Sequence, residues 1–165
     1  MTESKEKLTP MIHAAQNRCF GCGEANPIGL HLDFLLAEDG SVVSLPTVGD
    51  NFEGPHGYLH GGVIATLLDE AMSKAVRVRG LTAMTRQMEV DYLRPVPSAA
   101  SIRIEGHMER SEGRKHWAAA RILNEKGSTL ATAKGLFVEV RASRLTAAQP
   151  EDWPARSFVP ARLLV

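Results

Sequence analysis

The chain has 165 residues, of which 44% are hydrophobic and 23% are charged, and these values are ordinary for one globular domain. Its 19 basic residues balance 19 acidic residues, so no net positive charge favours nucleic acid. No apolar stretch approaches the roughly 20 residues that cross a bilayer, and the polar N-terminus does not resemble a signal peptide. We therefore expect a cytoplasmic protein that binds neither nucleic acid nor membranes.

The chain is predicted to have three parts. Residues 1–18 form a loose lead-in, residues 19–141 form the domain, and residues 142–165 form a tail with three prolines. Trp153 and the last three residues are candidates for anchoring this tail to the domain.

The loop that opens the domain carries Cys19 and Cys22, spaced as a zinc half-site with His13 and His31 as candidate partners. No second Cys-x-x-Cys follows to complete four ligands. The helix that a redox Cys-x-x-Cys normally opens is also not predicted, because Asn-Pro follows. We interpret this segment as a packed loop without a metal, and two cysteines are too few for a disulfide framework.

The first regular elements are two apolar runs, residues 30–36 and 42–45, on either side of a turn signal. They predict two strands. A long helix follows from Gly61 to about Arg79, and Gly80 is placed to end it. Its apolar residues recur at spacings of three and four and predict a face packed on a core.

Beyond the helix the apolar period changes to two, which is typical of strands with one buried face. Strands are predicted around residues 88–92, 102–106, 115–123 and 128–140. Two strands, one helix and a four-stranded meander indicate an α+β fold. One helix is too short to cover six strands on both faces, so the sheet is expected to curl around it and a partner subunit to cover the rest.

The helix carries two adjacent carboxylates that point in different directions. Asp69 projects away from the apolar stripe among small neighbours, which leaves room for a ligand or a partner subunit; the alternative is an ordinary surface carboxylate. Glu70 is expected to form a solvated ion pair with Lys74.

Gly61 and Gly62 begin the helix, where free backbone amides carry the positive end of its dipole. A developing oxyanion of a tetrahedral intermediate would be stabilised there. The structural alternative is that both glycines only permit a tight entry into the helix.

The run His60-Gly61-Gly62, with Asp69 nine residues after the histidine, resembles the signature of hotdog-fold acyl-CoA thioesterases of the phenylacetate-pathway and 4-hydroxybenzoyl-CoA types. The likeness is greatest to the subgroup of thioesterase-superfamily-member proteins and spans roughly residues 20–140. Further matching segments are Gly54-Pro55, Met84-Thr85, Tyr92-Leu93-Arg94-Pro95 and Gly113-Arg114-Lys115.

The resemblance implies a hotdog fold, in which a curved antiparallel sheet of about six strands wraps one long helix. It implies a homodimer or a dimer of dimers with active sites at the subunit interface, and no cofactor. Asp69 would act as general base on water or as nucleophile, the Gly61 amide as oxyanion hole, and Thr85 as a hydroxyl that orients the water. His60 would position the thioester or brace the loop.

Substrate contacts are implied less directly. Some relatives carry an amide side chain six residues before the histidine, where this sequence has Gly54, so Asn51 or His56 takes that part or the site manages without it. Gly62 would let the substrate approach the helix.

For CoA, the resemblance points to the cations Arg94, Arg114 and Lys115, which suit nucleotide phosphates. The alternative is that they are solvated surface cations.

The predicted activity is hydrolysis of a fatty or aromatic acyl-CoA to the free acid and CoA. The alternative is a non-catalytic acyl-CoA-binding or regulatory hotdog protein, against which the presence of both Asp69 and Thr85 argues. A hotdog dehydratase is a third class, and it places its histidine and acid differently.

Overall fold

The computed structural model describes residues 7–141. This part of the chain forms one long α-helix and seven strands, where about six strands are expected. In chain order the elements are β1 (Leu8–Pro10), β2 (Leu35–Ala37), β3 (Val42–Ser44), a short 3-10 turn (Asp50–Phe52), α1 (Gly61–Arg77), β4 (Ala83–Tyr92), β5 (Ile102–Glu112), β6 (Lys115–Asn124) and β7 (Thr129–Glu139).

The strands form one antiparallel sheet in the order β1-β2-β3-β5-β6-β7-β4. The four strands after α1 are long, and β5, β6 and β7 pair as a meander. Strand β4 pairs with β7 on one side and ends the sheet on the other, so its outer backbone edge is open among the described residues.

The extra strand comes from the segment expected to be a loose lead-in. Residues Leu8–Pro10 pair with Leu35–Ala37, and Met11 beyond them is buried in the core. The structure therefore differs here from the expectation, because β2 offers this segment a sheet edge to complete.

The sheet curves around α1, which packs against β3, β4, β5, β6 and β7. The helix residues Leu67, Leu68 and Met72 are fully buried. At Gly106 on β5 an added Cβ would lie 2.5 Å from the carbonyl oxygen of Ala71, so this close approach of strand to helix requires glycine.

The prediction of a solvated Glu70–Lys74 pair is wrong. The two side chains form an ion pair, but both residues are buried, with relative exposures of 8% and 4%. The loop that contains Cys22 covers this side of the helix, and the Lys74 ammonium also lies 5.7 Å from the centre of the Phe34 ring. Burial acts to raise the pKa of Glu70, but Lys74 and the neighbouring thiols hold it below its ordinary value.

Within residues 7–141 no helix has the length and hydropathy to cross a membrane. The predicted tail, residues 142–165 with Trp153, lies outside the described residues.

Candidate active site

The N-terminus of α1 presents an open backbone amide. His60 caps the helix in an extended conformation (φ −61°, ψ 141°), and its Nδ1 accepts a hydrogen bond of 2.9 Å from the Gly62 amide. The amides of Val63 and Ile64 both donate to the His60 carbonyl. Among the described residues the Gly61 amide has no acceptor, so it remains available at the positive end of the helix.

Tyr92, at the end of β4, borders this helix terminus. Its hydroxyl donates to the Gly61 carbonyl over 3.1 Å, and its ring lies 3.7–3.8 Å from the position a Cβ would take on Gly61. Sequence reasoning did not include Tyr92 among the site residues. Its only signal was its place in the Tyr92-Leu93-Arg94-Pro95 segment.

Asp69 and Thr85 form the second part of the site. The Thr85 hydroxyl donates to Asp69 Oδ1 over 2.7 Å. The register between β4 and β7 shifts between Thr85 and Gln87, and such a bulge re-aims the side chains beside it. The structure thus brings together the carboxylate and the hydroxyl that the resemblance associates with the water.

The surroundings of Asp69 make it a stronger base than an exposed aspartate. Burial raises the pKa of its carboxyl, and the hydrogen bond from Thr85 offsets part of that effect. A carboxylate in such a place takes up a proton more readily while still being directed by a donor.

Gly61 and Asp69 are not neighbours within one subunit. They lie eight residues apart on α1, which at about 1.5 Å per residue separates them by about 12 Å along the axis. One acyl carbon cannot contact both groups at that distance, so a single chain does not complete the predicted pairing of base and oxyanion donor.

The loop before the helix carries the two candidates for the amide side chain that some relatives have at the position of Gly54. Asn51 is exposed in the 3-10 turn, and the fully exposed His56 has its Nδ1 3.3 Å from Glu53. An added Cβ on Gly54 would lie 3.2 Å from the Cα of His60, so a larger residue there requires a shift. No contact joins Asn51 or His56 to Asp69 among the described residues.

The predicted phosphate-binding cations do not form one cluster within the chain. Arg94 donates to the carbonyl of Thr129, at the start of β7, whereas Arg114 donates to the carbonyl of Glu139, at its end. The exposed Lys115 follows Arg114 at the beginning of β6. The two ends of β7 are about 33 Å apart, at roughly 3.3 Å per residue.

A groove of about 780 Å³ lies elsewhere, across the sheet strands. Side chains of both charges line it, including Glu89, Arg121 and Lys134. Neither Gly61 nor Asp69 is among its lining residues, and its mixed charge does not suit an acyl chain.

A separate cluster on the other side of α1 joins the two cysteines to Glu70. Its three donor atoms lie within 4.8 Å of one another, and sequence reasoning did not connect Glu70 with this loop. A hydrogen bond between the thiols lowers the pKa of Cys19 to about 7 and raises that of Cys22.

Comparison with known proteins supports the resemblance. The model of the thioesterase superfamily matches residues 56–131, which contain His60, Gly61, Asp69 and Thr85. This match confirms the resemblance drawn from these motifs, and the fold of a solved thioesterase superfamily protein agrees with it.

Among curated relatives, acyl-coenzyme A thioesterase THEM4 of Xenopus laevis is 34% identical over 60% of this chain and 45% of its own length. THEM4 of Bos taurus is 28% identical over 81% of this chain and 56% of its own length. The chain thus spans about half the length of these relatives. A solved thioesterase superfamily protein is 30% identical, with a TM-score of 0.70, over 76% of this chain and 61% of that one.

Proposed function

We propose that this protein hydrolyses an acyl-CoA thioester to the free acid and CoA, the activity named for its THEM4 relatives. The observation that carries the proposal is the half-buried Asp69 carboxylate. It accepts a hydrogen bond from Thr85, and it lies on a helix whose first amide, at Gly61, has no acceptor among residues 7–141. Acyl transfer to water needs these parts: a base, a group that directs it and an oxyanion donor.

In the reaction, Asp69 accepts a proton from a water molecule as the water oxygen attacks the thioester carbonyl carbon. The carbonyl oxygen becomes an oxyanion and accepts a hydrogen bond from a Gly61 amide. When the intermediate collapses, the carbon–sulfur bond breaks, and the CoA thiolate leaves and takes the proton held by Asp69, which restores the carboxylate. Direct attack by the Asp69 carboxylate, through an anhydride that water then opens, uses the same groups.

His60 serves in this proposal as a brace, not as the base. Its Nδ1 lone pair accepts a hydrogen bond from the Gly62 amide, and this bond holds the helix terminus in shape. The Gly61 amide thereby keeps its direction toward the oxyanion.

A second subunit completes the site. The open edge of β4 carries the exposed apolar residues Met84 and Tyr92, which favours pairing with another copy. Identical strands related by a two-fold axis across such an edge run antiparallel, so the start of one β4 faces the end of the other. The Asp69–Thr85 pair of one subunit then lies beside the Gly61 terminus of its partner. The base and the oxyanion donor therefore come close together across the interface, although they are about 12 Å apart along α1 within one chain.

The same symmetry gathers the cations. Arg94 lies just beyond the end of β4. Arg114 lies near the other end of that strand, because it bonds the carbonyl of Glu139, which pairs with the start of β4. A two-fold axis across β4 therefore brings Arg94 of one subunit toward Arg114 and Lys115 of the other, where they would bind the CoA phosphates.

Thioester hydrolysis by matched variants tests the proposal. We expect Asp69→Asn to lower kcat about a hundredfold or more, because the base is lost. Burial favours the neutral form of Asp69, so replacing it with a neutral amide leaves the melting temperature equal or higher. Asp33→Asn, at an exposed position, serves as the control.

Gly61→Pro removes the amide hydrogen at a helix position that accepts proline, after a residue that is already extended. We expect a loss of about 10²–10³ in kcat, with a smaller loss for Gly61→Ala, which keeps the amide. Equal activity of the proline and wild-type proteins would remove Gly61 from the mechanism. If acyl-CoA raises the melting temperature but is never consumed, the protein is a binding module instead.

A further inference from the structure

The loop before β2 and the middle of α1 form a buried cluster that the proposed hydrolysis does not use. Cys22 and Glu70 are 3% and 8% exposed, and Cys19 is half-buried. The two sulfurs and one carboxylate oxygen lie within 4.8 Å of one another. Soft thiolates joined by a carboxylate are a donor set that Zn²⁺ accepts.

The spacing of the donor atoms fits a tetrahedral ion. Cys19 Sγ lies 3.5 Å from Glu70 Oε2. With Zn–S near 2.3 Å and Zn–O near 2.0 Å, tetrahedral angles separate sulfur and oxygen ligands by about 3.5 Å. This pair therefore already has the separation that a tetrahedral ion requires, and Cys22 Sγ lies within 4.8 Å of both atoms.

Hydrogen-bond donors surround the Cys22 sulfur. The Lys74 ammonium and the Asn17 amide donate to Cys22 Sγ, over 3.0 and 3.4 Å. Donors of this kind orient metal ligands and offset their charge.

The charges of the cluster also balance around a divalent cation. Two thiolates and the Glu70 carboxylate carry three negative charges, which Lys74 and Zn²⁺ together neutralise. Lys74 bonds Oε1 of Glu70, so the second oxygen, Oε2, is the one that faces Cys19. A buried site with no net charge avoids the penalty of an unpaired ion.

The loop backbone passes close to this carboxylate. An added Cβ on Gly21 would lie 2.6 Å from Glu70 Oε2, so a larger residue there requires the Glu70 side chain to shift. Gly23 is equally restricted, because its added Cβ would lie 2.5 Å from the backbone nitrogen of Cys19.

We propose that Cys19, Cys22 and Glu70 bind one Zn²⁺ ion, with a water molecule in the fourth position. Binding displaces a proton from each thiol that still holds one, and the ion ties the loop to α1 one residue from Asp69. This site differs from the metal-free loop expected from the sequence, because Glu70 supplies a third ligand from far along the chain. The inference does not depend on the proposed hydrolysis.

Metal analysis of full-length protein, purified without chelator from zinc-supplemented cells, tests the site. We expect about one zinc per chain in the wild type and in the control Glu24→Gln, an exposed loop variant. The Cys19→Ser and Cys22→Ser variants should each bind zinc at least tenfold more weakly than the wild type, and Glu70→Gln should bind it measurably more weakly.

Cobalt substitution in the wild type keeps the test independent of whether the variants fold. Co²⁺ should give intense tetrahedral ligand-field bands and thiolate charge-transfer absorption, and a chelator should lower the melting temperature. Three results would overturn the proposal: no zinc and no cobalt spectrum in reduced protein, a Cys19–Cys22 disulfide in the freshly purified protein, or unchanged zinc affinity in Glu70→Gln.

Discussion

A single hydroxyl offsets part of the effect that burial has on the pKa of Asp69. Burial raises the pKa of this carboxyl, and the bond from Thr85 stabilises the ionised form and lowers it again. A general base works only when ionised, so activity is lost as pH falls through this pKa. Removing the hydroxyl should therefore raise the pKa of Asp69 further.

We predict that Thr85→Val moves the acidic limb of kcat/KM to higher pH and lowers kcat roughly tenfold, since the water also loses a directing group. Valine keeps the branched shape that suits a strand. Thr85→Ser keeps the hydroxyl, and its limb should stay near that of the wild type. A pH–rate profile measures both, and an acidic limb that moves to lower pH in the valine variant would contradict the assigned bond.

At the scale of elements, the contact between α1 and the N-terminal loop depends on the buried Glu70–Lys74 pair. Removal of one partner leaves an uncompensated buried charge, and we predict that Lys74→Met lowers the free energy of unfolding by about 3–5 kcal/mol. Urea denaturation of chelator-treated protein measures this loss without any contribution from a bound metal.

Two further variants sharpen that measurement. The double variant Glu70→Gln/Lys74→Met carries no buried charge and should lose less stability than Lys74→Met alone. Lys7→Met removes an exposed pair with Glu38 and should change stability by less than about 1 kcal/mol. A Lys74→Met protein as stable as Lys7→Met would mean that Glu70 reaches solvent or takes up a proton.

The helix shows both what its sequence predicts and what it cannot. Spacings of three and four residues predict a helix from Gly61, and α1 begins there and ends at Arg77, two residues before the expected stop. The same periodicity marks Glu70 and Lys74 as polar and hence exposed. Their burial depends on a loop some fifty residues earlier, and a local period carries no information about such distant contacts.

The site was predictable to a similar degree. The resemblance associates Asp69 with Thr85, and a hydrogen bond joins them. It also groups Arg94 with Arg114 as CoA contacts, yet these lie at opposite ends of β7. Sequence order does not reveal that separation, because it follows from the direction of the strands in the folded sheet.

At the scale of the whole molecule, β1 depends on pairing rather than on its own pattern. Its three residues are too few to show an alternating period, and they become a strand because β2 leaves an edge free. The opposite edge, formed by β4, is longer and remains open within the described residues. A second copy of the chain paired along β4 would supply hydrogen-bond partners for the backbone groups of this edge.

Subunit mixing tests whether that second copy shares the active site. Consider a heterodimer in which one subunit carries Asp69→Asn and the other carries Gly61→Pro. If each site combines Asp69 of one subunit with Gly61 of the other, this heterodimer has one site with both changes and one site with neither. Two variants that are nearly inactive alone should then give mixed dimers with about half the wild-type activity. If both groups came from one subunit, every site would carry one change and no activity would return.

The experiment needs both variants expressed together with different affinity tags, so that sequential purification isolates the mixed species. A dimer in which both differently tagged subunits carry Asp69→Asn provides the matched control, because neither of its sites has the carboxylate. Recovery in the first pair but not in the second would establish that each site takes its base from one subunit and its oxyanion donor from the other. Absence of recovery in a proven heterodimer would contradict a shared site, and the roughly 12 Å between these groups along α1 would then have to be bridged within one chain.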